Sequence, residues 1–261
     1  PALRSAPRTA WGWAWAGALA GVLPAVVGFT PAHWLAGGVA RATQGQVQLL
    51  QPRGTVWTGS AQLVLTGGQA SKDSAALPGR VDWQLRPTWG GLRARLQAGC
   101  CTPEPLQAQV HLRWAGPQIT LADGQSQWPA ALLAGLGTPW NTLQPQGQLA
   151  LQTRALAVQW AAGRMVLSGQ AQLDARAMSS RLSTLRPMGS YRLVLQGGEV
   201  PTLALSTLDG ALQLSGSGQW VGNRLRFAGE ASAAPEREAA LSNLLNIIGR
   251  RNGARSIITV G

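Results

Sequence analysis

The strongest constraint in this sequence is a period of two that returns along most of its length. Leu106, Ala108, Val110, Leu112 and Trp114 alternate with Gln107, Gln109, His111 and Arg113. The same pattern sets Val81, Trp83 and Leu85 against Arg80, Asp82, Gln84 and Arg86, and Leu92, Ala94 and Leu96 against Arg93, Arg95 and Gln97. Tyr191, Leu193 and Leu195 continue it, as do Leu212 and Leu214. Successive side chains of a strand point to opposite faces, so the pattern predicts strands with one buried and one wet face. Strands of parallel sheets are covered on both sides and read as unbroken apolar runs, so the sheet is expected to be antiparallel.

The connections repeat as well. Trp114-x-Gly116-x-x-Ile119-x-Leu121 matches Trp220-x-Gly222-x-x-Leu225-x-Phe227 position for position, and Trp57-x-Gly59 leads into Leu63-x-Leu65 with one extra residue. A glycine just after a strand-ending tryptophan supplies the positive φ of a tight turn. The segments from Gly59 to Gly68 and from Gly189 to Gly198 agree at seven of ten positions. Repeated hairpins of one construction are the simplest account.

Two helices are expected to interrupt the strands. One is short and Ala/Leu-rich, from Pro129 to Leu136. The other runs from Pro235 to Ile248, with Pro at its start, Glu236 and Glu238 at its positive dipole end and Gly249 beyond its end. Its Leu241, Leu244, Leu245 and Ile248 form a stripe spaced for covering the apolar face of the sheet. Residues 256–260, Ser-Ile-Ile-Thr-Val, read as a closing strand.

Composition agrees with an ordered, turn-rich protein. Hydrophobic residues make up 45% and charged residues 12%, against about 25% charged in ordinary soluble domains. The 33 glycines and 16 prolines fall between apolar runs, which a disordered chain would lack. The formal charge is +12, with Lys72 the sole lysine among 22 basic residues. The arginines are scattered along polar strand faces without a nucleic-acid motif, so a nucleic-acid partner is not expected; attraction to an anionic membrane is the other use of such charge.

No charge occurs between Arg8 and Arg41, and residues 10–29 form an apolar stretch of 20 residues. At about 1.5 Å per residue this matches a hydrocarbon core of about 30 Å. Trp11, Trp13 and Trp15 mark one interface and Trp34 the other. Arg4 and Arg8 predict a cytoplasmic N-terminus. The expected layout is a cytoplasmic segment 1–9, a transmembrane helix 10–29 and a periplasmic β domain 30–261. A cleaved leader is the competing reading, since Ala18-Leu19-Ala20 fits a cleavage site, but the apolar run continues to Phe29. Gly17, Gly21, Pro24 and Gly28 share one helical face, where small residues let a second membrane helix approach closely.

Little points to chemistry. His33 abuts the apolar segment and His111 lies on a wet strand face. Neither a nucleophile elbow, a phosphate loop, a zinc signature nor a dinucleotide fingerprint is present, so no catalytic residue, metal site or cofactor is assigned. The only cysteines, Cys100 and Cys101, are adjacent; a vicinal disulfide, free thiols and an intermolecular bridge are all open, and the pair is read as a turn feature.

Residues 216–261, GSGQWVGNRLRFAGEASAAPEREAALSNLLNIIGRRNGARSIITVG, resemble the end of type II secretion system protein N. The segments Pro31-Ala-His-Trp-Leu, Gly54-Thr-Val-Trp57, Leu77-Pro-Gly-Arg80 and Leu185-Arg-Pro-Met-Gly-Ser-Tyr191 extend the resemblance along nearly the whole chain. It implies a single-pass inner-membrane component of the machine that exports folded proteins through an outer-membrane secretin. The implied partners are other bitopic subunits, the secretin and membrane lipid. It also implies an AsmA-like shape, a long curled antiparallel sheet with an apolar groove, and no catalytic residues. A groove for lipid or another hydrophobic ligand is the alternative function.

Overall fold

The computed structural model describes residues 28–261 apart from 114–115, 162–163 and 223, together with Trp11, Trp15 and Gly21. The first elements are helix α1 (Ala32–Ala42) and strands β1 (Val47–Gly54), β2 (Thr58–Thr66), β3 (Ser74–Ala76), β4 (Val81–Thr88), β5 (Gly91–Ala98), β6 (Leu106–Arg113), β7 (Gly116–Leu121) and β8 (Gly124–Pro129). A 3-10 helix (Ala130–Leu136) and a single α-turn, α2 (Trp140–Leu143), follow. Next come β9 (Gln146–Ala161), β10 (Arg164–Ser179), β11 (Gly189–Gln196), β12 (Thr202–Gly210), β13 (Leu212–Val221) and β14 (Arg224–Ala233). Helix α3 (Glu238–Ile248) and the hairpin β15 (Arg250–Asn252) and β16 (Arg255–Val260) finish the chain.

Every strand joins one 16-stranded antiparallel sheet whose order follows the sequence closely, β1-β2-β4-β5-β6-β7-β9-β10-β11-β12-β13-β14-β16-β15. The two short strands β3 and β8 pair with β2 and β9 alongside this path. The ladder registers place the alternating apolar residues on a single face. Trp83 stands opposite Leu96, and Leu96 opposite Leu106; Leu92 faces Val110, Val110 faces Ile119, and Ile119 faces Val158.

β-Bulges keep that face continuous while bending the strands. Along β9 the inward residues are Leu149, Leu151 and Thr153, then Leu156, Val158 and Trp160. The alternation slips by one residue at Ala155, whose φ is 45°. Gly169 of β10 stands across from this bulge with a φ of 81°. Asp123, in the break between β7 and β8, accepts a 2.6 Å hydrogen bond from the Ala155 N–H. A second bulge at Ala177 donates its N–H to the Ser190 hydroxyl, and a third sits at Gln51. Without these extra residues the outer half of each long strand would turn its apolar side to water.

Three buried clusters lie along the inner face. Ala32 of α1, Ala61 and Trp83 form the first, with the Trp83 indole N–H donating to the Val56 carbonyl at 3.0 Å. Leu77, Val81, Ala98, Cys101 and Leu132 form the second, under the 3-10 helix. Met188, Tyr191, Leu212, Ala231, Leu241, Leu244 and Leu245 form the third, under α3. The cysteines make a vicinal disulfide in the β5–β6 turn, with Cα atoms 3.7 Å apart.

Several expectations need correction. The short helix expected from Pro129 to Leu136 is present over 130–136, as a 3-10 helix. Its Gly135 lies so close to the Leu65 carbonyl that no side chain fits, and cis Thr138–Pro139 follows two residues after it. The last helix starts at Glu238, three residues after Pro235, because Glu236 adopts a φ of 67° in the preceding turn. Glu238 alone therefore sits in the first turn, and Gly249 is extended rather than left-handed. α1 and α2 were not expected. The transmembrane segment 10–29 falls almost wholly outside the described residues. Among those described, no helix is long and apolar enough to cross a membrane.

A side chain at Gly169 would collide with the Ala155 carbonyl, so Gly169→Val should lower the urea midpoint by about 1–3 kcal/mol of stability. Gly38→Ala, in open space on α1, should leave it unchanged or raise it by up to about 1 kcal/mol. Equal midpoints for the two variants would contradict the bulge assignment.

Candidate functional site

The inner face between β9 and β16 is organised in rows of cross-strand neighbours. One row runs Leu151, Leu173, Leu193, Leu205, Gly216, Gly229 and Ile258. Beside it run Leu149, Ala175 and Tyr191 on one flank, and Thr153, Ala171, Leu195, Leu203, Gly218, Phe227 and Val260 on the other. Large residues on β9–β12 thus give way to Gly216 and Gly218 on β13 and Gly229 on β14. A Cβ on Gly216 would come within 2.5 Å of the Phe227 ring, so that ring occupies the space the glycine leaves.

The small residues Ala231 and Ser256 leave room for α3. Leu241, Leu244 and Leu245 are buried there and Ile248 is packed at the margin. Buried serines fasten the helix backbone: Ser256 donates to the Leu245 carbonyl at 2.6 Å and Ser183 to the Ala240 carbonyl at 3.1 Å. On the other side Ser180 donates to the Leu143 carbonyl at 2.7 Å, tying α2 to the end of β10. A cavity of about 270 Å³ remains between α2 and α3. Leu133, Trp140, Leu143, Leu244 and Ile248 roof it, and Leu149, Leu173, Leu193, Leu205 and Leu214 floor it.

This is an apolar chamber near the lower end of the ~300–1,000 Å³ typical of ligand pockets. Among the described residues, the one buried side-chain polar atom without a hydrogen-bond partner is the Tyr191 hydroxyl, in the lining of this cavity. Burial pushes the phenol's pKa up, with nearby Asp209 adding to the shift, so it stays a neutral donor. Such a lining can hold a hydrocarbon group and offer one hydrogen bond. It supplies neither a nucleophile nor a base.

The outer face carries the strongest ion pair. Arg192 grips Asp174 with both ends of its fork, Nε at 2.7 Å and a terminal nitrogen at 2.9 Å, while Gln172 and Arg176 add further contacts. Hydrogen bonding from Arg192 holds the Asp174 carboxyl below the usual carboxylate range despite its burial. The pair joins neighbouring strands β10 and β11, so its role is to fix the ladder.

The histidines are far from any such cluster. His111 bonds Gln109 on the outer face at 3.2 Å, and His33 sits beside Trp34 on α1. Among the described residues no group of three or more His, Cys, Asp or Glu could hold a metal ion. Of the residues named for the membrane segment, Trp13, Gly17 and Pro24 lie outside the described residues. Trp11, Trp15, Gly21, Gly28 and Trp34 are exposed. Sequence reasoning missed the roof residues Trp140 and Leu143 and the part played by Tyr191. Alternation placed Tyr191 on the apolar face, but only the fold puts α2 across from α3.

A family model described as type II secretion system (T2SS), protein N, matches residues 45–258. The match runs from just before β1 nearly to the end of β16. The chain belongs to the type II secretion system protein N family. No curated protein and no solved structure gives a significant match. Membership supports a role in type II secretion and ties the curled sheet to that machine.

Leu244→Ala should destabilise the protein by about 2–5 kcal/mol, read from urea unfolding, because it enlarges an existing cavity. The Asp174 pKa is depressed in the folded state, so its contribution is present above the unfolded value of about 3.9 and lost as pH falls through the folded value. Asp174→Asn should therefore flatten the acid limb of the stability–pH curve below that point. An unchanged acid limb would rule out this pair as a source of the pH dependence.

Proposed function

We propose that the chain is a non-enzymatic accessory subunit of the type II secretion system, held in the inner membrane by residues 10–29, with its sheet in the periplasm. It acts through contacts with bitopic inner-membrane subunits and with the secretin. The observation that carries this reading is the family match over the whole sheet. A cavity without a nucleophile, base or metal cluster among the described residues fits a structural role.

Deleting the gene should abolish or reduce export of a folded type II substrate, and the tagged chain should recover secretion subunits from solubilised membranes. Undiminished export with no recovered subunit would remove the proposal.

The apolar cavity under α3 favours a second reading, in which the sheet holds a lipid acyl chain with Tyr191 as its single polar contact. Native mass spectrometry of the purified full chain should then show bound phospholipid, and Leu193→Arg should remove it. A lipid-free chain would leave the cavity as part of the core.

A further inference from the structure

In a meander every second turn falls at the same end of the sheet. The turns β1–β2, β4–β5, β6–β7, β9–β10, β11–β12 and β13–β14 therefore share one rim, together with the end of β16. The tryptophans that end strands gather there. Trp57, Trp89, Trp160 and Trp220 each sit within two residues of one of these turns. Trp89 is fully exposed and Leu112 is 72% exposed, and Trp160, Val200, Val221 and Val260 are exposed beside the same turns. The opposite rim has a different character. Its turns carry both signs of charge, Asp73, Glu104, Asp209 and Glu236 with Lys72, Arg80, Arg181, Arg186 and Arg237, and its tryptophans are Trp128 and Trp140 at the β8–β9 connection.

The tryptophan rim is almost uniformly basic, whereas the far rim is mixed. Arg53, Arg86, Arg93, Arg113, Arg164, Arg224 and Arg226 lie within three ladder pairs of the tryptophan-bearing turns, against a single acid, Glu199. Exposed indoles with arginines behind them are the composition of a surface that sits in the lipid headgroup region. Indoles favour that interface, and each arginine near an anionic surface adds about 1 kcal/mol of attraction.

The path of the chain selects the occupant. The N–H of Val56 donates to the Thr30 carbonyl at 2.9 Å, and Pro31 bridges to Thr55. The uncharged stretch that ends at Phe29 therefore reaches the sheet at this rim and not at the other. We infer that the tryptophan–arginine rim rests on the periplasmic surface of the inner membrane, so that the sheet stands on anionic phospholipid headgroups through its hairpin tips. The inference rests on the proposed anchor at residues 10–29, and it sets the orientation of the sheet relative to the bilayer. The mixed-charge turns of the far rim then point into the periplasm.

Photo-cross-linking of the full chain in its native membranes tests this. The photoreactive residue benzoylphenylalanine replaces Trp89, Leu112 or Val200 on the rim, and Gln69 or Glu104 on the far side. All are turn or turn-flanking positions, so folding is not at stake. Phospholipid adducts are expected at 89, 112 and 200 and absent at 69 and 104, with a severalfold drop at 89 when Arg86 and Arg93 are changed to Glu. Rim adducts to protein alone, or equal lipid adducts on both rims, would overturn the inference. Carbonate extraction of the same membranes reads the anchor separately. A retained chain without rim adducts sinks the rim alone, whereas a released chain that still carries them sinks the anchor alone.

Discussion

Everything in this molecule follows from the need to hide one oily face of a single sheet that does not close on itself. Sixteen strands in a meander share that face, and a second sheet is not available to cover it. The solution is a curl supported by bulges at Gln51, Ala155 and Ala177, with four short helical pieces laid along the inside. Each helix settles where the strand residues are small. Ala61 receives α1, and Ala231 with Ser256 receives α3. Where large residues face each other across the gap, a cavity remains. The groove is thus a consequence of how far four short helical pieces can cover a face that wide.

The two edges and two rims of the sheet are then free to differ. The outer face is stitched by polar contacts such as Asp174 with Arg192, which fix neighbouring strands without demanding burial of more apolar surface. One rim gathers tryptophan and arginine with a single acid, and the other mixes acids and bases and holds the disulfide-bearing turn. A sheet that stands on a membrane by one rim would expose its polar outer face and its far rim to periplasmic partners. That arrangement suits the proposed role between the bilayer and the secretin.

Much of the sheet was legible from residue order. The inward set Val81, Trp83, Leu85, Leu92, Ala94 and Leu96 read off alternation is the set the ladders bring together. What escaped was set by features that interrupt local patterns. The slip from Thr153 to Leu156 is visible in the sequence, but its meaning needs Gly169 and Asp123 on either side. Helix α1 contains Gly37 and Gly38 and sits against an apolar stretch, which masks its start. Pro235 looked like a helix start, yet Glu236 turns left-handed and delays the helix to Glu238. The shared rim could be deduced only after counting strands, because each Trp-x-Gly turn looks alike in isolation. The cavity could not be read at all, since its roof and floor are joined only by tertiary packing.

The central claim is that a single inward face persists through the bulge at Ala155. A lysine scan of β9 in the full chain, read by urea midpoint in detergent, addresses it most directly. Lysine at 149 and 151, and again at 156 and 158, should lower the midpoint sharply, while lysine at 148, 152 and 159 should be tolerated. Sensitivity that continued on odd numbers to 157 and 159, or that recurred every three to four residues, would contradict the account.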